Sequence, residues 1–111
     1  MAQTNADRVF LEELNKIVYD NLQDPDFNLD NMAQLLNMSR SSLNRKIRGI
    51  LDMTPNDYIR VERLKKAAVL LKDKSYKINE VCYAVGFSTP SYFAKCFQKQ
   101  FGVLPKDFVE M

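Results

Sequence analysis

The stretch that decides the fold lies at residues 86–102 and has the sequence GFSTPSYFAKCFQKQFG. Gly86 suits a left-handed turn that ends a preceding helix, and Thr89 followed by Pro90 is a typical cap and first residue of the next helix. Gly102 is expected to end that helix. Its inner face is predicted to consist of Phe93, Phe97 and Phe101. The stretch therefore predicts a tight turn followed by an amphipathic helix.

A short helix is predicted directly before this turn, and the same arrangement occurs earlier in the chain. When residues 29–39 are shifted by 49 and the following helix by 50, apolar and basic positions coincide. The matching pairs are Asn37 and Gly86, Met38 and Phe87, Ser39 and Ser88, Leu43 and Phe93, Arg45 and Lys95, and Ile47 and Phe97. A short helix, a turn with a left-handed residue and an apolar plug, and a second helix with polar exposed positions form a helix-turn-helix. The sequence predicts two of them.

The rest of the chain also has helical periodicity, and no run alternates as a strand would. A first helix is predicted from about Asp7 to Gln23, and its buried face is expected to consist of Leu11, Leu14, Val18 and Leu22. Asn28, Ser39 and Thr54 are expected to cap three later helices. The long helix after Thr54 would bury Val61, Leu64, Ala68 and Leu71, and Pro105 to Val109 would form a last turn.

The predicted fold is all-α, with about seven helices. Residues 1–6 are expected to be a disordered start, 7–53 a first helix-turn-helix subdomain, 54–73 a linker helix and 74–111 a second subdomain. A helix of about 18 residues is roughly 27 Å long. Since neighbouring major grooves on one side of DNA lie about 34 Å apart, the linker is expected to let one chain occupy two of them.

Charge and residue types exclude several functions. Residues 1–31 carry a net charge of −5 and residues 32–111 a net charge of +7, which favours a polyanionic partner for the basic part. The chain has no histidine, so the commonest general base is missing, and Cys82 and Cys96 lack metal-site spacing. Both cysteines are assigned to the core. No apolar run reaches the roughly 18 residues of a membrane span. We expect a cytoplasmic protein that is not an enzyme and binds no membrane, metal or cofactor.

The second repeat resembles a known family. Residues 86–102, completed by Pro105 and Phe108, are similar to the signature of the AraC/XylS family of bacterial transcription regulators. Leu104 and Val109 depart from it, since a small polar residue and an arginine are usual there. Residues 38–46 and 101–105 especially resemble the DNA-binding ends of hybrid two-component sensor-regulators. Because the family commonly has another domain before this module, the chain resembles an isolated output domain whose sensor or receiver domains lie elsewhere.

The resemblance implies sequence-specific binding to double-stranded DNA through two recognition helices, at about residues 40–50 and 90–101, in adjacent major grooves. The family's base-reading positions correspond to Ser41, Asn44, Arg45, Ser91 and Lys95. Arg45 could donate two hydrogen bonds to guanine, and Asn44 could pair with adenine. Because cations and helix starts attract phosphate, we assign backbone contacts to Ser39, Arg40, Arg48, Ser88, Thr89 and Lys99.

Two alternatives stay open at this point. The face of the second recognition helix, with Pro90, Ser91 and Ala94, has fewer strong base readers, so it could bind chiefly through DNA shape and phosphates. The whole module could instead bind a protein. RNA polymerase is an expected partner of a transcription regulator in either case. Binding that weakens steeply with salt would indicate DNA, because each neutralised phosphate contributes about 0.9 to the slope.

Overall fold

The computed structural model describes residues 4–111, and this part of the chain forms seven α-helices without a strand. In chain order they are α1 (Asn5–Asp20), α2 (Leu29–Leu35), α3 (Arg40–Leu51), α4 (Pro55–Lys72), α5 (Ile78–Ala84), α6 (Pro90–Phe101) and α7 (Pro105–Val109). The predicted all-α class and the number of helices are confirmed.

Helix α1 begins within residues 1–6, which the sequence predicts to be disordered. Thr4 caps the helix, since its hydroxyl accepts a hydrogen bond from the backbone N–H of Asp7 at 3.0 Å. The Asp7 carboxylate accepts in turn from the N–H of Thr4 at 3.4 Å, which completes a capping box. Residues 4–6 therefore form the cap and first turn of α1, whereas residues 1–3 lie outside the described part of the chain. The helix ends at Asp20, earlier than the predicted Gln23.

The chain divides into two compact units. The first extends to Asn21 and includes Asp26–Ile59, and the second comprises Leu22–Pro25 and Arg60–Met111. The division falls inside α4, so the first turn of this helix belongs to the first unit and the remainder to the second. The subdomain boundaries inferred from the sequence, with a separate linker at residues 54–73, divide the chain by function and stay a prediction.

The core of the first unit is built by the apolar faces of α1, α2, α3 and the first turn of α4, together with Phe27. The side chains of α1 that are buried follow each other at every fourth position, beginning with Phe10, so Leu11 is only half-buried. The buried residues of this unit are Phe10, Leu14, Val18, Phe27, Met32, Ala33, Leu43, Ile47, Tyr58 and Ile59. The Tyr58 hydroxyl also donates a hydrogen bond to Oδ1 of Asn15. This core fixes the inner face of α3.

The core of the second unit is mainly aromatic and aliphatic. Its buried residues are Leu64, Ala67, Leu71, Val81, Cys82, Val85, Phe87, Phe93 and Phe97. Four residues that the sequence assigns to the core need correction. Phe101 is 36% exposed, because it lies at the rim with its ring centroid 4.7 Å from that of Phe97. Cys96 is only half-buried. The predicted α4 residues Val61 and Ala68 are also half-buried, because Ala67 occupies the inner position of this helix instead.

The sequence repeat is reproduced in the backbone. Asn37 and Gly86 have φ angles of 55° and 92°, so both turns contain the predicted left-handed residue. In both turns the next residue bonds back to the helix. The N–H of Met38 donates to Ala33 O at 2.9 Å, and that of Phe87 to Cys82 O at 3.1 Å. The short helices α2 and α5 thus end in the same type of turn.

Candidate nucleic-acid interface

The recognition helix of the first unit, α3, begins at a serine cap. The Ser39 hydroxyl accepts a hydrogen bond from Ser42 N–H at 3.1 Å, as the sequence predicts for a cap. It also donates to the Ser42 hydroxyl at 2.8 Å. The helix ends at Leu51 and is followed by Asp52, whose left-handed φ of 54° is not predicted by the sequence. Leu43 and Ile47 are buried, so the opposite side of α3 faces outward.

The outward side of α3 presents the predicted base readers. Ser41 and Arg45 are exposed one turn apart, and Asn44 beside them is half-buried. The guanidinium of Arg45 makes no hydrogen bond or ion pair with any described residue. Its donors are therefore available to a ligand. A planar group with two parallel N–H donors fits the O6 and N7 acceptors of guanine.

Two other arginines on this side have partners within the first unit. Nε of Arg48 donates a hydrogen bond of 3.1 Å to Oδ1 of Asn44. Nε of Arg40 lies 3.4 Å from a carboxylate oxygen of Asp30, and both side chains are mostly exposed. The outward face of α3 contains no acid in the sequence, but the structure brings Asp30 from α2 next to it. Both arginines thus have a polar partner in this unit, although they remain exposed to solvent.

A polar cleft of about 700 Å³ opens beside these residues in the first unit. It lies among the starts of α2 and α4 and the outward side of α3, and its lining includes Asn28, Asp30, Arg40, Ser41, Asn44, Arg48 and Asn56. Asn28 and Asn56 were missed as site residues, because their sequence signals are those of a cap and of a first helical turn. The cleft gathers four of the predicted contact residues, whereas Arg45 is not among its lining residues.

The recognition helix of the second unit, α6, starts differently. Thr89 occupies the cap position, but its hydroxyl accepts no hydrogen bond from the helix, contrary to the predicted cap. The next residue, Pro90, has no N–H and a fixed φ, so it starts the helix without a side-chain cap. Ser88, Thr89 and Ser91 are exposed. The Thr89 hydroxyl is thus not engaged as a helix cap.

A groove of about 440 Å³ follows α6 within the second unit. Lys95 and Lys99 line it together with two residues not predicted from the sequence, Arg60 and Tyr92. The pKa of the Tyr92 hydroxyl is raised, chiefly by its hydrogen bond and charge interaction with Cys96, whereas Arg60 acts in the opposite direction. Tyr92 therefore remains a neutral phenol near neutral pH, beside three cationic side chains.

Similar sequences connect this arrangement with regulators. A model of the helix-turn-helix domain matches residues 32–111. A Formosa agariphila protein named histidine kinase P4 is 39% identical over 95% of this chain and 8% of its own length. The HTH-type transcriptional regulator GbdR of Pseudomonas aeruginosa is 36% identical over 87% of this chain and 26% of its own length. The chain thus spans far less than two thirds of these relatives.

Solved structures share the fold. A Chromobacterium violaceum transcriptional regulator described as containing an AraC-type DNA-binding domain superimposes with a TM-score of 0.88 at 24% identity, covering 96% of this chain and 95% of that chain. The DNA-binding domain of the global transcriptional factor AdpA, solved with a target DNA, superimposes with a TM-score of 0.80 at 25% identity. The match covers 90% of this chain and 89% of that chain. The chain belongs to the AraC/XylS family of helix-turn-helix transcription regulators.

The family to which the chain belongs consists of DNA-binding regulators and is not an enzyme class. The name of the Formosa agariphila protein does not alter this, since the match covers only 8% of that protein. Of the helices in the described part of the chain, none is both long and apolar enough to cross a bilayer.

Proposed function

We propose that this chain binds a specific double-stranded DNA sequence and regulates transcription, with α3 and α6 entering adjacent major grooves. The observation that carries the proposal is the outward side of α3. There Arg45 is unengaged and Asn44 is oriented by Arg48, beside a polar cleft that also contains Arg40. Such a surface combines base-reading groups with cations for phosphate.

We assign the two kinds of contact as follows. The groups proposed to meet base edges are Ser41, Asn44, Arg45, Ser91 and Lys95. The groups proposed to meet phosphates are Ser39, Arg40, Arg48, Ser88, Thr89 and Lys99. The free donors of Arg45 support a guanine contact. The Asn44 amide retains its NH₂ donors and one lone pair on Oδ1, which is what an adenine edge requires.

The test is selection of bound duplexes from a random pool, followed by titration at several salt concentrations. We expect an enriched sequence with two half-sites about one helical turn apart, and an affinity that falls steeply with salt. Enrichment of one short motif alone would contradict base reading by α6. No enrichment together with a flat salt dependence would overturn DNA recognition and favour a protein partner.

We further propose that the chain is an output domain that responds to sensor or receiver domains, contacts RNA polymerase and works in the cytoplasm. The Formosa agariphila relative supports the output-domain part of this proposal, because it is named a histidine kinase and the matched part is a small fraction of it. Fusing the chain to a regulated dimerisation domain and measuring transcription from the selected site tests the idea. Unchanged transcription on dimerisation, with the site occupied, would contradict it.

A further inference from the structure

The second unit contains a polar anchor between α4 and a short segment of the chain. Arg63, on α4, is half-buried and donates to two backbone carbonyl oxygens. Its Nη2 lies 2.8 Å from Asp24 O, and its Nε lies 3.3 Å from Leu22 O. Both acceptors lie in the short segment Leu22–Pro25, which belongs to the second unit. The guanidinium thus ties this segment to α4.

The environment of Arg63 indicates a dedicated contact rather than a solvated charge. Burial lowers the pKa of Arg63, and the nearby Asp24 carboxylate offsets this only in part. A partly desolvated guanidinium is stable when its donors are satisfied, and carbonyl oxygens satisfy two of them here. The adjoining Leu22 side chain is fully buried. One polar and one apolar contact therefore hold the same segment.

The turn of the second helix-turn-helix packs directly on this anchor. A methyl group added at Gly86 would lie 2.0 Å from Leu22 O and 2.8 Å from Nε of Arg63. Gly86 also has a φ of 92°, so the turn needs glycine for its conformation and for its close approach. The left-handed residue that ends α5 is thus enclosed by the anchor.

The first unit provides an internal comparison. The residue equivalent to Gly86 is Asn37, which has a similar backbone conformation and an exposed side chain. Gly86, by contrast, is buried. The two turns form the same backbone hydrogen bonds, so the anchor is not needed to make the turn itself. It adds a restraint on where the second turn lies.

We propose that Arg63 is a positioning residue for the second helix-turn-helix. By holding residues 22–25 over Gly86, it fixes the turn from which α6 starts and thereby the placement of Ser91 and Lys95. The effect of Arg63 on DNA contacts rests on the proposed function. The restraint that Arg63 places on the turn at Gly86 can be measured without DNA.

Amide hydrogen exchange of the free protein provides the first measurement, with Arg63→Met and Arg63→Lys compared with wild type. Arg63→Met should accelerate amide exchange at Gly86 and Phe87 by about tenfold or more relative to wild type, and Arg63→Lys should give an intermediate rate. Exchange at Asn37 and Met38 should not change in either variant. Lys65→Met is the matched control, since it removes a charge from an exposed position on α4. No acceleration, or equal acceleration at both turns, would overturn the proposal.

Footprinting on the selected duplex provides the second measurement. Arg63→Met should lose protection of the half-site that Lys95→Ala weakens and retain the other, whereas Lys65→Met should protect both. Full protection by Arg63→Met would overturn the positioning role. If the wild-type protein protects neither half-site, the proposed function fails, and hydrogen exchange still decides whether Arg63 restrains the turn.

Discussion

Nε of Arg48 donates a hydrogen bond of 3.1 Å to Oδ1 of Asn44, one turn earlier on α3. This bond holds the Asn44 amide plane in one orientation before any ligand is present. Arg48 was assigned from the sequence to a phosphate, and its remaining guanidinium donors are compatible with that role. The pair therefore links a proposed phosphate contact with a proposed base contact on the same helix.

Arg48→Lys keeps the positive charge but removes the planar donor that orients Asn44. We expect discrimination at the base read by Asn44 to fall by up to about tenfold, because a good bidentate contact gives about 1–3 kcal/mol and only its orientation is lost. The slope of log affinity against log salt should not change. Binding titrations with matched and single-base-substituted duplexes measure both quantities. In an Asn44→Ala background, Arg48→Lys should have no further effect on discrimination, and an equal effect there would contradict the coupling.

Arg45→Ala should lower sequence discrimination more than Lys99→Ala does. Loss of a bidentate guanine contact removes about 1–3 kcal/mol of discrimination, roughly 5- to 150-fold. Lys99→Ala should weaken specific and scrambled duplexes alike and reduce the salt slope by about 0.9. Competition binding with the two duplexes separates these results. If both variants lose affinity equally for both duplexes, the ranking is wrong.

Asp30→Asn should strengthen DNA binding. The Asp30 carboxylate lies 3.4 Å from Nε of Arg40 and lines the polar cleft, where it would repel phosphates. Because both side chains are largely exposed and screened, we expect a gain of only about two- to fivefold, similar for specific and scrambled duplexes at low salt. Glu13→Gln, an equal change of charge at an exposed position of α1, is the control. A gain of the same size in the control would show a general charge effect instead.

Phe97→Ala and Phe101→Ala should differ in their cost to stability. Phe97 is fully buried among Phe93, Phe101 and Phe108, so its truncation should lower the free energy of unfolding by about 3–5 kcal/mol. Phe101 is 36% exposed, and we expect a loss below about 2 kcal/mol. Chemical denaturation followed by circular dichroism measures both. Equal losses would place Phe101 in the core, as the sequence pattern predicted.

The sequence alone determined the features that depend on neighbours within a few residues. The positions of the seven helices, the Asn28 and Ser39 caps and the left-handed positions Asn37, Gly86 and Gly102 were predictable, whereas the buried face of α4 was predicted only in part. Such features depend on backbone sterics and on hydrogen bonds between residues up to about five positions apart. The same local pattern occurs twice, at Asn37 and at Gly86. Asp52 was not predicted, because the left-handed residue after a helix is usually glycine and sometimes asparagine.

Only the tertiary structure decided which distant groups meet. Asp30 reaches Arg40 because α2 and α3 pack against each other, and Arg63 reaches Leu22 across 41 positions of the chain. Periodicity indicates which side of each helix is buried. It does not indicate which residues of other helices lie next to the side chains at the border of that buried side. Phe101 is a further case, since it continues the buried face of α6 and yet lies at its rim. The contacts of exposed and half-buried side chains depend on how helices pack, and packing is a property of the whole unit.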